Sequence, residues 1–429
     1  MQAWRPLDVH LWRMCSSARL SRRLVVGIAL VATPAGAPAQ AALRTIPIVV
    51  IDHVFVPSLI AGRPATLLLD PVEGLMLDRG FARRHAIPAV GGEAAGLGAP
   101  VRTGGAGAAE HEVLFARALA VTIGDRRHDV PLAPVIPLDS MMAPALGHHV
   151  DGLLGLDLLD GVVEIDFDRG RMRVHDRVRF VVPEGATVLP ARLLAGKPIV
   201  ETIVRTSDGA SRPAAMVLDF GMAGTVRLTT RFTDANQMVD AVGPAVTSRS
   251  ETGLGGALES VIGRLASLSL GAIELRGPVV SLARERTGGD AAPPYDGLIG
   301  IGVLRRFRVY FDLPRSRVVL APTQRTSLPF VYSPSGVSFV PLRATARGLV
   351  VADIAPATPA ARAGLRLGDR VLAVGSRSAE RWTKRDWQDA IDASDGQPLD
   401  VRVLRGARLV RLRLAVPRLL APASSSGTR

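Results

Sequence analysis

Two aspartates end apolar runs that echo each other, Leu67-Leu68-Leu69-Asp70 and Met216-Val217-Leu218-Asp219. About 80 residues after each comes a second repeated block. The first reads Asp151-Gly152-Leu153-Leu154-Gly155-Leu156 with Ile165-Asp166-Phe167-Asp168-Arg169 behind it; the second reads Asp296-Gly297-Leu298-Ile299-Gly300-Ile301 with Phe311-Asp312-Leu313-Pro314-Arg315. A fold built twice, with one carboxylate per copy, brings two acids to one axis. Other chemistry is poorly supported. His148-His149 precedes Asp151, but no further histidine is spaced to finish a zinc site, so a solvated turn is expected. The only cysteine, Cys15, lies near the N-terminus, and no Gly-x-Ser-x-Gly occurs. Gly253-Leu254-Gly255-Gly256 is too short and wrongly placed for a dinucleotide fingerprint. No cofactor and no metal are expected.

The elements that must carry the two acids follow from the punctuation. Residues 45–181 read as short strands (Ile46–Val50, Ala65–Leu69, Leu119–Ile123, Val162–Phe167, Met172–Val174) separated by Gly and Pro clusters, with one helix after Asp78. Residues 186–321 repeat the order: strands Ile199–Arg205 and Ala214–Leu218, a helix capped by Thr229 or Thr230, then strands Ser260–Leu270 and Val279–Leu282. The expected fold is mainly β, two pseudo-symmetric lobes followed by a small α+β domain at 336–418 and a disordered tail at 419–429. Glycine-rich stretches, Gly91–Gly107 and Gly253–Gly256, fall between aspartate and Asp-Gly block in both copies. They read as hairpin flaps over a cleft or as mobile surface loops.

Residues 1–41 read as a signal peptide: Arg19, Arg22 and Arg23 precede the apolar run Leu24–Ala32, and small residues follow at Ala37–Ala41. That run is about nine residues long where a spanning helix needs roughly 20, so no stable membrane insertion is expected, and the mature protein would be exported, periplasmic or secreted. Without Cys15 the mature chain has no disulfide, which fits an oxidising compartment without requiring one. The formal charge of +13 is carried almost wholly by arginine, because Lys197 and Lys384 are the only lysines. Aromatics make up 4% of the chain and do not interleave with the basic residues, so nucleic acid is not an expected partner. The densest basic stretch, Arg402–Arg413, alternates with Val and Leu and reads as an edge strand.

The order of apolar strand, aspartate, helix, glycine-rich hairpin and hydrophobic-hydrophobic-Gly, occurring twice over residues 45–321, resembles the two-lobed aspartic peptidases of the pepsin and retropepsin type. The resemblance implies that Asp70 and Asp219 meet across a pseudo-twofold axis. It also implies that Leu153-Leu154-Gly155 and Leu298-Ile299-Gly300 pass beneath them, with Gly155, Gly300 and Gly221 supporting the cleft. Asp151 and Asp296 would belong to structural turns. Two carboxylates about 3 Å apart share a proton, and one then acts as base toward water while the other acts as acid toward the peptide carbonyl. The departures fall on the aspartate loops. Pro71 and Val72 follow Asp70, and Phe220 follows Asp219, where the family has a hydroxyl residue and then glycine. No tyrosine lies between Asp70 and Asp151 to serve as a flap tyrosine.

The run Gly348–Ile354, followed by Pro359-Ala360-Ala361-Arg362-Ala363-Gly364-Leu365 and Gly368-Asp369-Arg370-Val371, resembles the PDZ domain of bacterial periplasmic proteases. Trp382–Ile391 would be its second helix, with Leu399–Leu404 and Leu409–Val416 a closing hairpin. The resemblance implies peptide binding by strand addition at Gly348, Leu349, Val350 and Val351, with Trp387 and Ile391 on the opposite wall. Trp382, Trp387 and Ile391 read equally as members of a small core. Three functions stay open: a peptidase whose PDZ domain recruits polypeptide substrates, a catalytically inactive peptide-binding relative, and a scaffold in which only the PDZ unit binds. The sequence does not fix an oligomeric state.

Overall fold

The apolar runs before the two aspartates are central strands. Leu67, Leu68, Leu69, Val217 and Leu218 are fully buried, as befits continuous apolar segments that pair in parallel with cover on both faces. The computed structural model describes residues 44–417, apart from the short segments 71–73, 105–109, 147, 244, 254–255, 287–292, 331, 333–334, 342–347 and 355–357. The signal peptide expected at 1–41 and the tail at 419–429 lie outside the described residues.

The chain is mainly β, arranged as three sheets. In the first, Val54–Ile60, Arg63–Leu69, Gly152–Leu154, Leu75–Asp78, Arg126–Ile136 and Glu110–Ile123 pair in that order, and Ser58–Ile60 pairs back onto Val121–Ile123 to close a barrel. The second is a large mixed sheet that holds the second copy and also joins the two. Val163–Ile165 from the first half pairs antiparallel with Val309–Phe311 from the second, so the halves share a sheet at their seam. One hydrophobic core runs through both.

The duplication is visible bond by bond. Leu67–Leu69 pairs in parallel with Gly152–Leu154, and Met216–Leu218 with Gly297–Ile299, in the same register. Strand Leu75–Asp78 then pairs antiparallel with the first Asp-Gly block, as Val226–Leu228 does with the second. Asp151 accepts from the Thr66 N–H at 2.9 Å and from Arg84 at 2.9 Å; Asp296 accepts from the Ala215 N–H at 2.9 Å and from Arg231 at 3.0 Å. These two acids are structural ties between neighbouring strands. Gly152 and Gly297 are glycines because a Cβ would sit 2.5 Å from the Met76 carbonyl and 2.4 Å from the Arg227 carbonyl.

Capping follows the sequence. Asp78 accepts from the Phe81 N–H at 2.7 Å to start helix Arg79–Arg84, and Thr229 starts Thr230–Ala235. The run Ser260–Leu270, expected as one strand, is two: Gly256–Arg264 and Ser267–Leu270, which leave the turn between them on different neighbours.

The third sheet is the C-terminal unit, ordered Val337–Pro341, Leu349–Ile354, Arg370–Val374, Leu399–Arg405, Arg408–Leu414. Its last strand lies at an edge with Arg408, Arg411 and Arg413 exposed, as the alternation in Arg402–Arg413 implies. The second helix runs Lys384–Ala393, two residues later than expected, because Thr383 and Asp386 form a capping box at its start. Trp382 lies outside the helix and packs into the core with Phe339, Trp387 and Ile391. Asp369, fully buried, is held by two hydrogen bonds from Arg405 at 2.8 and 2.7 Å. The lobes and this unit pack as a single body.

Candidate functional site

Each aspartate is positioned by the strand that passes beneath it. The Asp70 N–H donates to Leu154 O at 3.1 Å, and the Asp219 N–H to Ile299 O at 2.9 Å. The glycines that end those strands anchor the returning loops: the Gly155 N–H donates to Gly74 O at 2.7 Å and the Gly300 N–H to Thr225 O at 2.9 Å. A Cβ on Gly300 would stand 2.4 Å from Gly224 O and 2.5 Å from Met222 O, so only glycine fits.

The two carboxylates come together around Gly221. A Cβ built there would lie 2.1 Å from Asp70 Oδ2 and 3.1 Å from Asp219 Oδ1, so oxygens from both lobes flank one point beside this glycine. The Gly221 N–H donates to Asp219 Oδ1 at 2.7 Å. Burial, and secondarily the charge of Asp219, push the Asp70 pKa up to about 7, with Lys197 opposing. Glycine is required here by the close approach of the acids rather than by its backbone angles.

His53 is a site residue that the sequence reading missed. It sits in the turn before strand Val54–Ile60 of the first lobe, 4% exposed, and its Nε2 lies 3.2 Å from the carbonyl of Gly221 in the second. A carbonyl can only accept, so Nε2 carries the proton; Nδ1 is buried and has no hydrogen-bond partner among the described residues. Burial lowers the His53 pKa to about 4, Asp52 opposing and Lys384 adding to the fall. The ring is therefore neutral near pH 7 and ties one lobe to the other's aspartate loop. The only signal was a lone histidine between Asp52 and an apolar run, a pattern shared with many core histidines.

Of the departures in the aspartate loops, Pro71 and Val72 lie outside the described residues. Phe220 is accounted for: its ring is 1% exposed and packs against Phe167 at 6.2 Å and Phe311 at 5.3 Å, on the seam between the halves. The residue after Asp219 thus contributes to the core between the halves. Of the first glycine-rich stretch, Glu93–Leu97 is a helical turn and only Val101–Gly104 forms a hairpin, with Glu110–Val113; the second lies in the hairpin of Val246–Gly253 with Gly256–Arg264, and both hairpin tips lie outside the described residues.

The histidine pair before Asp151 is dispersed. His148 stacks on Phe55 at 4.3 Å, and His149 Nδ1 lies 3.0 Å from the Asp139 carboxylate. Among the described residues, no group of three His, Cys, Asp or Glu side chains is placed to hold a metal ion, and no helix is long and apolar enough to cross a membrane.

The C-terminal unit corrects the expected peptide edge. Strand Leu349–Ile354 is interior: Leu349 and Val350 pair with Pro341 and Val340 on one side, and Val350 pairs with Arg370 on the other. Gly348, Leu349 and Val351 are buried and Val350 half-buried, so this segment has no free ladder to offer. Ile391, 1% exposed, belongs to the core; Trp387 is also buried, with Nε1 donating to Ser335 Oγ at 3.2 Å, although it still reaches the groove. The edge strand is Val337–Pro341. Between it and helix Lys384–Ala393 lies a groove that is part of a cavity of about 520 Å³, whose opposite wall is Met222–Thr225, the loop that follows Asp219.

The connector from the lobes forms a further wall. Arg306 donates to the carbonyls of Arg325 at 3.0 Å, Pro329 at 3.1 Å and Leu328, and stacks 3.5 Å over the Phe330 ring. Arg385 of the helix approaches Asp52, the neighbour of His53, at 3.9 Å. The groove and the loop after Asp219 therefore line one cavity.

Comparison with known proteins identifies the C-terminal unit. A family model of the PDZ domain matches residues 350–405, and the chain carries a PDZ domain at its C-terminal end. Among solved structures, the HtrA3 PDZ domain bound to a phage-derived ligand (FGRWV) is 21% identical, over 21% of this chain and 88% of that one, with a TM-score of 0.18. No curated protein matches the chain.

Proposed function

We propose that the protein binds polypeptide chains through its PDZ domain and hydrolyses them at Asp70 and Asp219, in the manner of the aspartic peptidases that its two-lobed repeat resembles. The observation that carries this reading is the meeting of the two carboxylates at Gly221, with Asp70 raised to about 7. Two acids so close share one proton, which Asp70 holds through the acidic to neutral range, leaving the charge on its partner. The ionised member removes a proton from a water whose oxygen attacks the scissile carbonyl carbon, and Asp70 protonates the carbonyl oxygen. Collapse of the tetrahedral adduct then breaks the C–N bond, with a proton passing to the leaving amine. The export expected from residues 1–41 belongs to the same reading, and the N-terminal sequence of the mature protein tests it.

A second reading, a cleft that holds peptide without cutting it, is favoured by one observation: Phe220 stands where a hydroxyl would lock the loops. One experiment separates them. Wild type is incubated with denatured casein between pH 4 and 7 beside the Asp219→Asn variant, and new N-termini are counted. Cleavage by wild type and none by the variant supports hydrolysis; peptide binding with no cleavage by either establishes the binding protein.

A further inference from the structure

His53 has a counterpart in the second lobe. Phe55 pairs with Leu68, two residues before Asp70, and Ile199 pairs with Val217, two residues before Asp219. His53 and Lys197 each stand two residues ahead of Phe55 and Ile199, at the turn that enters the strand: His53 O accepts from the Ile51 N–H at 3.1 Å, and Lys197 pairs with Leu194. The repeat therefore puts the two residues at equivalent points. His53 crosses to the carbonyl of Gly221, two residues past Asp219. The same relation carries Lys197, which is half-buried, to the loop that follows Asp70, where Val72 is the counterpart of Gly221 and lies outside the described residues. The charge of Lys197 is felt at Asp70, where it opposes burial and the charge of Asp219.

The two copies have thus diverged in charge. The residue serving the Asp219 loop is a ring that is neutral near pH 7, and the one serving the Asp70 loop is a lysine, one of two in the chain. The charged groups around Asp70 come from several elements. Asp219 approaches from the opposite loop and Lys197 from the start of strand Lys197–Arg205. Asp157 accepts from the Gly74 N–H at 2.9 Å, at the end of Asp70's own loop. The strands that pair with Arg63–Leu69, namely Val54–Ile60 and Gly152–Leu154, carry no ionisable side chain.

We propose that Lys197 is a positioning residue, a cation of the second lobe held beside Asp70 that fixes the pH range in which the two acids share a single proton. Burial and the repulsion of a second carboxylate both push the ionisation of Asp70 to higher pH. A cation at that point works against both, because it stabilises each negative charge that the pair takes on. The shared-proton state then ends near neutrality instead of higher up.

The inference rests on the hydrolytic reading above for its use in catalysis, and two readouts keep them apart. Protein labelled with carbon-13 at its aspartate carboxyls is titrated by NMR as wild type, Lys197→Gln, Lys197→Met, Lys197→Arg and, as a charge control on the same hairpin, Arg192→Gln. Asp70→Asn identifies the Asp70 transition by its loss. Cleavage of denatured casein is followed over the same pH range. In Lys197→Gln and Lys197→Met the Asp70 transition, and with it the alkaline limb of cleavage, should rise by about 1 pH unit, the low end for an opposite charge nearby. Lys197→Arg and Arg192→Gln should leave both in place. A transition that stays put in the two neutral variants, or that moves as far in Lys197→Arg or Arg192→Gln, overturns the proposal, and slower cleavage with an unmoved limb reduces Lys197 to a turn anchor. A displaced transition with no cleavage by wild type upholds the cation at Asp70 and overturns the hydrolytic reading alone.

Discussion

Acid should loosen this protein through His53. The ring is neutral in the folded chain with a pKa lowered to about 4, against 6.5 in the unfolded chain. Between those values the unfolded chain takes up a proton that the folded chain refuses, so stability is fully present above pH 6.5 and is lost as pH falls toward 4. A displacement of that size corresponds to about 3 kcal/mol at full development. Asp70 acts in the opposite sense, because a carboxyl raised to about 7 favours the fold as pH falls from 7 toward 3.8. The two effects are separated by a variant. His53→Gln keeps an amide N–H that can reach Gly221 O and has no proton to gain.

Urea unfolding followed at pH 7 and pH 4.5 gives four midpoints. Wild type should lose stability relative to His53→Gln on acidification, by most of the 3 kcal/mol that full protonation would cost. An NMR titration should place one of the 8 histidines of the chain near pH 4, and that resonance should vanish in the variant. Parallel pH dependence in the two proteins, or the absence of a low-titrating resonance that the variant loses, would refute the cross-lobe tie as drawn.

Three further outcomes follow from distances in the site. Gly221→Ala places a methyl 2.1 Å from Asp70 Oδ2; it should cost about 1–3 kcal/mol in urea unfolding and abolish any hydrolysis. Asp70→Asn removes a buried group that resists ionisation, so its thermal midpoint should exceed that of wild type at pH 8 and the gap should close by pH 4. Arg306→Ala releases the carbonyls of Arg325, Leu328 and Pro329, and limited proteolysis should then cut within 323–330 faster than in wild type.

The sequence carried the repeat because a duplicated fold must satisfy the same backbone constraints twice. Leu67–Leu69 and Met216–Leu218 are apolar on both faces because each is a buried parallel strand, and Gly152 and Gly297 recur because the same carbonyl crowds each. Asp78 and Thr229 were readable as caps because capping is a local geometry. What failed was non-local. Gly348–Val351 has the composition of an edge and of an interior strand alike, and only the pairing with Val337–Pro341 decides. His53 and Arg306 owe their roles to groups between 19 and 168 residues away, which no periodicity marks.

The loop after Asp219 shows what such non-local replacement does. In the resemblance, a hydroxyl beside each acid links the lobes at the site itself. Here the link is divided between two residues that cannot be recognised as substitutes from sequence. Phe220 binds the halves by burying its ring against Phe167 and Phe311, and His53 reaches from the first lobe to the carbonyl of Gly221. Both contacts hold the loop after Asp219 to the first lobe, and within that loop the Gly221 N–H donates to Asp219 Oδ1. The absence of those hydroxyls is therefore weak evidence against hydrolysis. It counts against one way of holding the acids together, while the position of Gly221 between Asp70 Oδ2 and Asp219 Oδ1 records that they are held together by another.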